Sequence, residues 1–310
     1  MSENVRSTAA NIGSIAGHQA TSLGEWVNLL LHLGRIRISL LATLSTATGY
    51  LLATEKITIH MLVPTASVFF LACGSCALNQ YQEREIDQRM DRTKSRPIPS
   101  RRLNPETALW ISMGSIFSGF LILFCGTRDL ALALGLFAVL WYNLIYTPLK
   151  QKTAFAAVPG ALVGAIPPVL GWVAGAGSIL DLRIWGVALF FFVWQVPHFW
   201  LLALDFSKDY EKAGLPSITQ LFSTRQIKRI VFIWLLSTGV AGLSFPSSGL
   251  IHFHFVYLFL FAATSWFTWN AIDFFRFYSQ GTGLRMVFTK LNIYALLVLC
   301  LLSVDKLLSS

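Results

Sequence analysis

Apolar residues in this chain come in long, nearly unbroken runs, and the charged positions gather in short clusters between them. Runs near 37–54, 61–80, 107–126, 130–147, 154–176, 183–204, 228–246, 253–274 and 287–304 each approach the ~20 residues that a helix needs to cross a hydrocarbon core about 30 Å thick. Lipid offers the backbone no hydrogen-bond partner, so each run is expected to be a helix. The ten-residue alternation of a membrane barrel is not present in the sequence. The pattern therefore predicts an all-α polytopic membrane protein with about nine transmembrane helices. Its expected division is a polar tail over residues 1–32 followed by one transmembrane domain over 33–310.

Composition agrees, since 55% of residues are hydrophobic and 13% charged, against roughly 25% charged in soluble domains. A net charge of +9 could point to nucleic acid or an anionic surface, so the positions of the charges matter. With the N-terminus in the cytoplasm, all but Lys56, Arg128, Arg183 and Lys306 of the 24 Lys and Arg residues fall on the cytoplasmic side. That is the positive-inside asymmetry. It calls for no nucleic-acid partner, and it implies an odd number of spans with the C-terminus outside. Residues 1–26 hold a single Arg, Arg6, and no apolar core, which fits a polar tail better than a secretory signal or a mitochondrial transit peptide. A bacterial inner membrane is expected ahead of a mitochondrial one. Cys73, Cys76, Cys125 and Cys300 lie in the apolar runs. The Cys73-x-x-Cys76 pair has no second pair to complete a metal site and reads as small-residue helix packing.

The most informative polar stretch follows the second run: Asn79, Glu83 and Asp87, then Asp91, Arg92, Lys94, Arg96 and Pro97. On a helix Asn79, Glu83 and Asp87 share one stripe that drifts by only about 40°, and Asp91 continues it. Hard oxygen ligands suit Mg²⁺, which takes one or two carboxylates and completes its shell with water and substrate phosphate. The neighbouring cations could hold that phosphate. Taken alone, the segment reads equally as a solvated loop that fixes topology. A second acidic pair, Asp205 and Asp209, follows the sixth run on the same expected side. Two facing carboxylate clusters would hold two metal ions around one diphosphate.

Between them lie Tyr146-Thr-Pro-Leu-Lys150 and a span containing Pro159, Gly164, Pro167, Pro168 and Gly171. Consecutive prolines break or kink a helix, so this span reads either as the wall of a binding cavity or as a packing kink among small residues. His198 stands deep in the sixth run, where an ionisable group is a functional candidate. Haem-iron ligation, proton relay and a hydrogen bond to a neighbouring helix are its alternatives. His252 and His254 fall near the external end of the eighth run.

These residues resemble the UbiA-type prenyltransferases, in the form seen in haem O synthases. The likeness rests on Asn79…Glu83…Asp87…Arg92-Thr93…Arg96-Pro97, Tyr146-Thr147…Lys150, Gly164-Ala-x-Pro167-Pro168-x-x-Gly171-Trp172, Trp194-Gln195-x-Pro197-His198-Phe199-Trp200, Asp209-Tyr210-x-x-Ala213-Gly214-x-Pro216 and Phe288…Asn292-x-Tyr294…Asp305. It extends over roughly residues 33–305. The resemblance implies nine helices around a central cavity and transfer of farnesyl from farnesyl diphosphate to the 2-vinyl group of protoheme IX, giving haem O. It implies Mg²⁺ at Asn79, Glu83 and Asp87 on one side and Asp205 and Asp209 on the other. Lys150, Arg92 and Arg96 would contact the diphosphate, and His198 and Trp200 are the candidates for the haem side; Lys94, Tyr146, Lys208 and Arg37 are further candidate substrate-binding residues. Haem here is a substrate and not a retained cofactor, and a haem A synthase or terminal oxidase is the candidate recipient of the product.

The sequence departs from the family at Glu83, where most relatives carry Asp, and at Arg35-Ile36-Arg37, where Lys-Pro-Arg is usual. Residues 153–160 are less polar than usual, and Pro216-Ser217-Ile218 lacks the common Met-Leu-Pro. The rival readings are a UbiA-type enzyme with a quinone or chlorophyll-type acceptor, a transporter with broken helices, and a non-catalytic haem-handling membrane protein.

Overall fold

Each of the nine apolar runs is a helix. The computed structural model describes residues 22–277 and 283–309, so most of the expected polar tail lies outside the described residues. Among the described residues there are nine helices long and apolar enough to span a membrane and no strand. The elements are α1 (Leu23–Leu33), α2 (Ile36–Thr54), α3 (Leu62–Gln82), α4 (Arg84–Arg89), α5 (Pro105–Gly126), α6 (Asp129–Leu149), α7 (Ala157–Ala174), α8 (Leu182–Asp205), α9 (Ser207–Lys212), α10 (Ile218–Leu221), α11 (Thr224–Leu243), α12 (His254–Phe277) and α13 (Leu284–Ser309). The protein is an integral membrane protein, and its outward Leu, Phe and Trp side chains are the surface that lipid covers.

α7 and α8 are the central helices: 56% of each apolar window is buried, against 28% for α5, α6 and α12. Small residues set how closely they pack. A Cβ at Gly49 would lie 1.9 Å from the Pro168 carbonyl oxygen, and one at Gly171 would lie 2.0 Å from that of Thr46. The α2 and α7 backbones therefore touch, as small residues permit where helices associate in lipid. On the other side of α7, Gly160 receives the Tyr146 ring and Gly164 the Gln195 side chain. The Pro167-Pro168 pair does not interrupt α7, which runs unbroken from Ala157 to Ala174. The glycines on these faces of the span serve close packing.

α1 is a capped helix that closes one end of the bundle. Ser22 and Glu25 form a capping box at its start. Leu29 and Leu33 pack with Ala77, Ile98, Leu103 and Ala108. Gln80 Nε2 donates to the carbonyls of His32 (3.0 Å) and Leu33 (2.8 Å) at the end of the helix. At the other end of the bundle α13 buries Asp305 and Lys306. Asp305 accepts from the backbone N–H groups of His252 and Phe253, and Lys306 Nζ lies 2.7 Å from Glu55 Oε1. The four cysteines are free thiols.

Candidate functional site

α3 carries Asn79 near its end, and the chain continues into α4 with its hydrogen bonding intact. Glu83 N–H donates to Asn79 O at 2.9 Å, and Asp87 N–H donates to Glu83 O at 2.8 Å. The Asn79, Glu83 and Asp87 stripe is thereby kept, and all three side chains are buried. Asp91 leaves it. α4 ends at Arg89 and Met90 is extended, so Asp91 is exposed instead of continuing the stripe inward. There it pairs with Lys94 Nζ (2.7 Å) and Lys212 Nζ (2.6 Å), and these two ammonium groups hold its carboxyl at about 2.

Buried carboxylates need compensation. Lys150, at the end of α6, places Nζ 2.6 Å from Glu83 Oε1 and 2.7 Å from Oε2. The ammonium group thus faces both carboxylate oxygens, with its hydrogen bond directed to Oε2. Arg96 Nη1 lies 2.6 Å from Asp87 Oδ2. Burial, reinforced by the positive charge of Arg35, pulls the Arg96 guanidinium down to about 10, and Asp87 opposes that shift. A widened π turn at Trp141–Tyr146 sets the position of α6. It directs Thr147 to Asn79, whose Nδ2 donates to Thr147 Oγ1 at 3.1 Å.

Arg35 completes this cluster. It sits between α1 and α2 in the left-handed region, φ 47°, and its Nη2 donates to Asn79 Oδ1 at 3.3 Å. Its neighbour Arg37, the arginine expected at the substrate, is exposed and joined to the cluster by no hydrogen bond or ion pair among the described residues. A signal was available in the pattern: at the start of a helix, residues two apart face different sides, so only one of these arginines can turn inward.

The second acidic pair divides. Asp209 is buried and accepts the Arg92 backbone N–H at 2.9 Å, which ties α9 to the segment after α4. Ala213 and Leu215 pack with Met90, and Arg92 lies over the Phe206 ring, 4.8 Å from its centroid. Gly214, with φ 72°, makes the turn that brings Leu215 back: Leu215 N–H donates to Tyr210 O and Gly214 N–H to Glu211 O. Arg92 Nε is buried with no acceptor. Asp205 instead pairs with Arg285 on α13, 3.0 Å from its Nε. Both line a cavity of about 270 Å³ with Leu201, Phe206 and Phe288. Lys208 is exposed on α9.

Tyr146 stacks on Phe199 at 5.4 Å, and Trp200 is buried with its Nε1 3.4 Å from Ala154 O. Both line a narrow cleft with Lys150 at the start of α7. His198 lies deeper along α8, between the rings of Trp194 and Phe288.

The arrangement gathers Arg35, Arg92, Arg96 and Lys150 around Glu83, Asp87 and Asp209. Buried carboxylates stand beside cationic side chains, and the Arg92 Nε lacks an acceptor. The site can therefore take a cation and an anion together. Among the described residues no three Asp, Glu, His or Cys side chains converge to hold a metal unaided. Such a donor set suits a hard divalent ion that shares its shell with substrate phosphate.

Comparison with known proteins gives the same architecture. Residues 42–296 match the UbiA prenyltransferase family. The protoheme IX farnesyltransferase of Geobacter sulfurreducens is 38% identical over 221 residues, covering 71% of this chain and 82% of that one. The protein of the same name from Myxococcus xanthus is 39% identical over 205 residues, 64% of this chain and 68% of its own. Among solved structures, a digeranylgeranylglyceryl phosphate synthase superposes with a TM-score of 0.72 at 18% identity, over 91% of this chain and 98% of its own. A UbiA homolog from Archaeoglobus fulgidus, bound to GPP and Mg²⁺, gives 0.67 at 15% identity, over 90% and 99%.

Proposed function

The chain belongs to the UbiA prenyltransferase family, and from that membership we propose that it transfers a farnesyl group from farnesyl diphosphate to a vinyl group of protoheme IX, forming haem O. The acceptor follows from relatives at 34–39% identity that carry that activity in their names. The observation that carries the site assignment is the gathering of the buried Glu83 and Asp87 carboxylates with Lys150 and Arg96, beside an Arg92 Nε that has no acceptor. A metal diphosphate would bring a divalent cation to the carboxylates and an acceptor to the Arg92 Nε.

Asn79, Glu83 and Asp87 would hold one Mg²⁺, and Asp209 would offer its carboxylate to a second, which Asp205 could join only by leaving Arg285. Bound Mg²⁺ contributes Lewis-acid stabilisation of the charge on the leaving diphosphate. Arg35, Arg92, Arg96 and Lys150 hold the diphosphate oxygens, and they stabilise them most as the allylic C–O bond breaks and the bonding electron pair leaves with oxygen. Lys94, Lys208 and Arg37, on the exposed side, contribute long-range attraction for the anionic substrate. Tyr146, Phe199 and Trp200 form an aromatic wall that excludes water while the farnesyl cation exists. The vinyl π electrons then form the new C–C bond. Water adds to the cation left on the haem side and loses a proton.

The prenyltransferase unit takes in 33–310 together with α1, which packs on it and so does not belong to a polar tail, and lies in a bacterial inner membrane, with the acidic segments cytoplasmic and the C-terminus outside. Its product passes to a haem A synthase or a terminal oxidase.

The test is to incubate detergent-purified protein with haem B, farnesyl diphosphate and Mg²⁺ and to analyse the pigments by chromatography and mass spectrometry. Asp87→Asn protein and an EDTA-treated sample serve as controls. A pigment heavier than haem B by one farnesyl group plus water, missing from both controls, is the expected result. Unmodified haem with consumption of farnesyl diphosphate would overturn the acceptor, and no turnover of either substrate in folded protein would overturn the enzyme.

A further inference from the structure

His198 and Asn292 form a polar pair enclosed by aromatic rings, apart from the diphosphate site. The His198 ring centroid lies 4.9 Å from that of Trp194 on α8 and 4.7 Å from that of Phe288 on α13. Its Nδ1 lies 3.0 Å from Asn292 Oδ1. The proton between them is located by a second contact, in which Asn292 Nδ2 donates to Phe288 O at 2.6 Å. A carbonyl oxygen only accepts, so the amide must turn its NH₂ to Phe288 and its oxygen to His198. That oxygen also only accepts, so His198 Nδ1 carries the proton. In the uncharged ring Nε2 then holds a lone pair, and no described residue donates a hydrogen bond to it.

A ring whose one N–H is held by an oxygen acceptor while the other nitrogen presents a lone pair is the arrangement of a metal-ligating histidine. One turn along α8, Leu201 and Leu202 line the 270 Å³ cavity with Phe288, together with the polar Asp205, Arg285 and Thr289. We infer that Asn292 is a positioning residue that fixes His198 as the Nδ1–H tautomer, so that Nε2 ligates the iron of the tetrapyrrole acceptor and sets its place in the bundle. This rests on the acceptor proposed above. The bond is a reversible donor bond from nitrogen to iron, and no electron or proton leaves the pair.

The test is spectroscopic. Ferric haem B and metal-free protoporphyrin IX are titrated separately into detergent-purified wild-type, His198→Ala, Asn292→Leu and Asn292→Asp proteins, without farnesyl diphosphate. Wild type is expected to bind both and to show a histidine-ligated Soret band with haem. His198→Ala is expected to lose that band and its preference for haem over protoporphyrin, to keep protoporphyrin affinity within about twofold, and to regain the band on addition of imidazole. Asn292→Leu is expected to weaken haem binding by roughly 10–100-fold, the usual effect of removing a partner behind a metal ligand. Asn292→Asp, which keeps an oxygen acceptor, restores it. Unchanged protoporphyrin binding shows that each variant is folded. An unaltered band and haem affinity in His198→Ala would overturn the ligation while leaving the acceptor intact. A wild-type protein that binds neither pigment would overturn the acceptor and the ligation together.

Discussion

Replacing Lys150 by Met removes the ammonium group that compensates the carboxylate of Glu83 and keeps most of the side-chain volume. Glu83 is 2% exposed, Lys150 is 23% exposed, and Nζ lies 2.6 Å from Oε1. At an effective dielectric constant of about 20, unit charges at that separation attract by roughly 6 kcal/mol. Desolvation of both ions cancels part of this, and deleting one member of a buried pair typically costs about 3–5 kcal/mol because the other is left uncompensated. Lys150 keeps some contact with solvent, so the lower end is expected, about 3 kcal/mol. At roughly 2–4 °C per kcal/mol, the unfolding temperature should fall by roughly 6–12 °C. The assay is thermal unfolding followed by tryptophan fluorescence in one detergent at one scan rate, since irreversible unfolding makes the transition rate-dependent. Lys150→Met/Glu83→Gln should recover most of the loss, because it replaces the ion pair by neutral groups and leaves no buried charge. Mg²⁺ with diphosphate should raise the Lys150→Met protein by more than wild type, since a divalent ion supplies the compensation that was removed. Two results would refute the reasoning: a single variant as stable as wild type, or a double variant less stable than either single one.

Other parts of the molecule give further tests. Gly171→Ala places a methyl group 2.0 Å from the Thr46 carbonyl oxygen, so α2 and α7 must separate; a loss of about 3 kcal/mol or failure to accumulate in the membrane is expected, read by thermal unfolding and by yield. Asp305→Ala leaves the backbone N–H groups of His252 and Phe253 without their acceptor and should lower stability by about 2 kcal/mol, whereas the exposed Ser247→Ala should leave the unfolding temperature unchanged. The ion pairs of Asp91 with Lys212 and Lys94 depress its carboxyl to about 2, below the usual value of about 3.9. Their contribution is complete above about pH 4 and is lost as pH falls through 2. Salt weakens them too. Proteolysis of the 89–104 segment should therefore accelerate in acid and in high salt in wild type, and should already be fast and insensitive to both in Asp91→Asn.

Hydropathy was enough to lay out the membrane architecture, because the backbone in lipid must satisfy its own hydrogen bonds and only a helix of about 20 residues does so locally. The Asn79, Glu83 and Asp87 stripe was legible for a similar reason: a spacing of four residues places side chains on one helix face whatever surrounds the helix. Asp91 shares that spacing and still points outward, because α4 ends at Arg89 and the helical period no longer applies. Pro167 and Pro168 suggested a break that the continuous α7 does not have. Their local cost is outweighed by close packing with α2 through Gly49 and Gly171, a contact between segments far apart in sequence. The same holds for the partners of the buried charges. Lys150 meets Glu83 across 67 positions, and Asp209 meets the Arg92 amide across 117. Arg35 in place of Arg37 turns inward because of the left-handed backbone between α1 and α2. Sequence alone determined which residues carry charge, which segments cross the membrane and which side chains share a helix face. Tertiary structure alone decided which of those charges meet, since a long-range ion pair depends on how the helices pack and leaves no periodic trace in the chain.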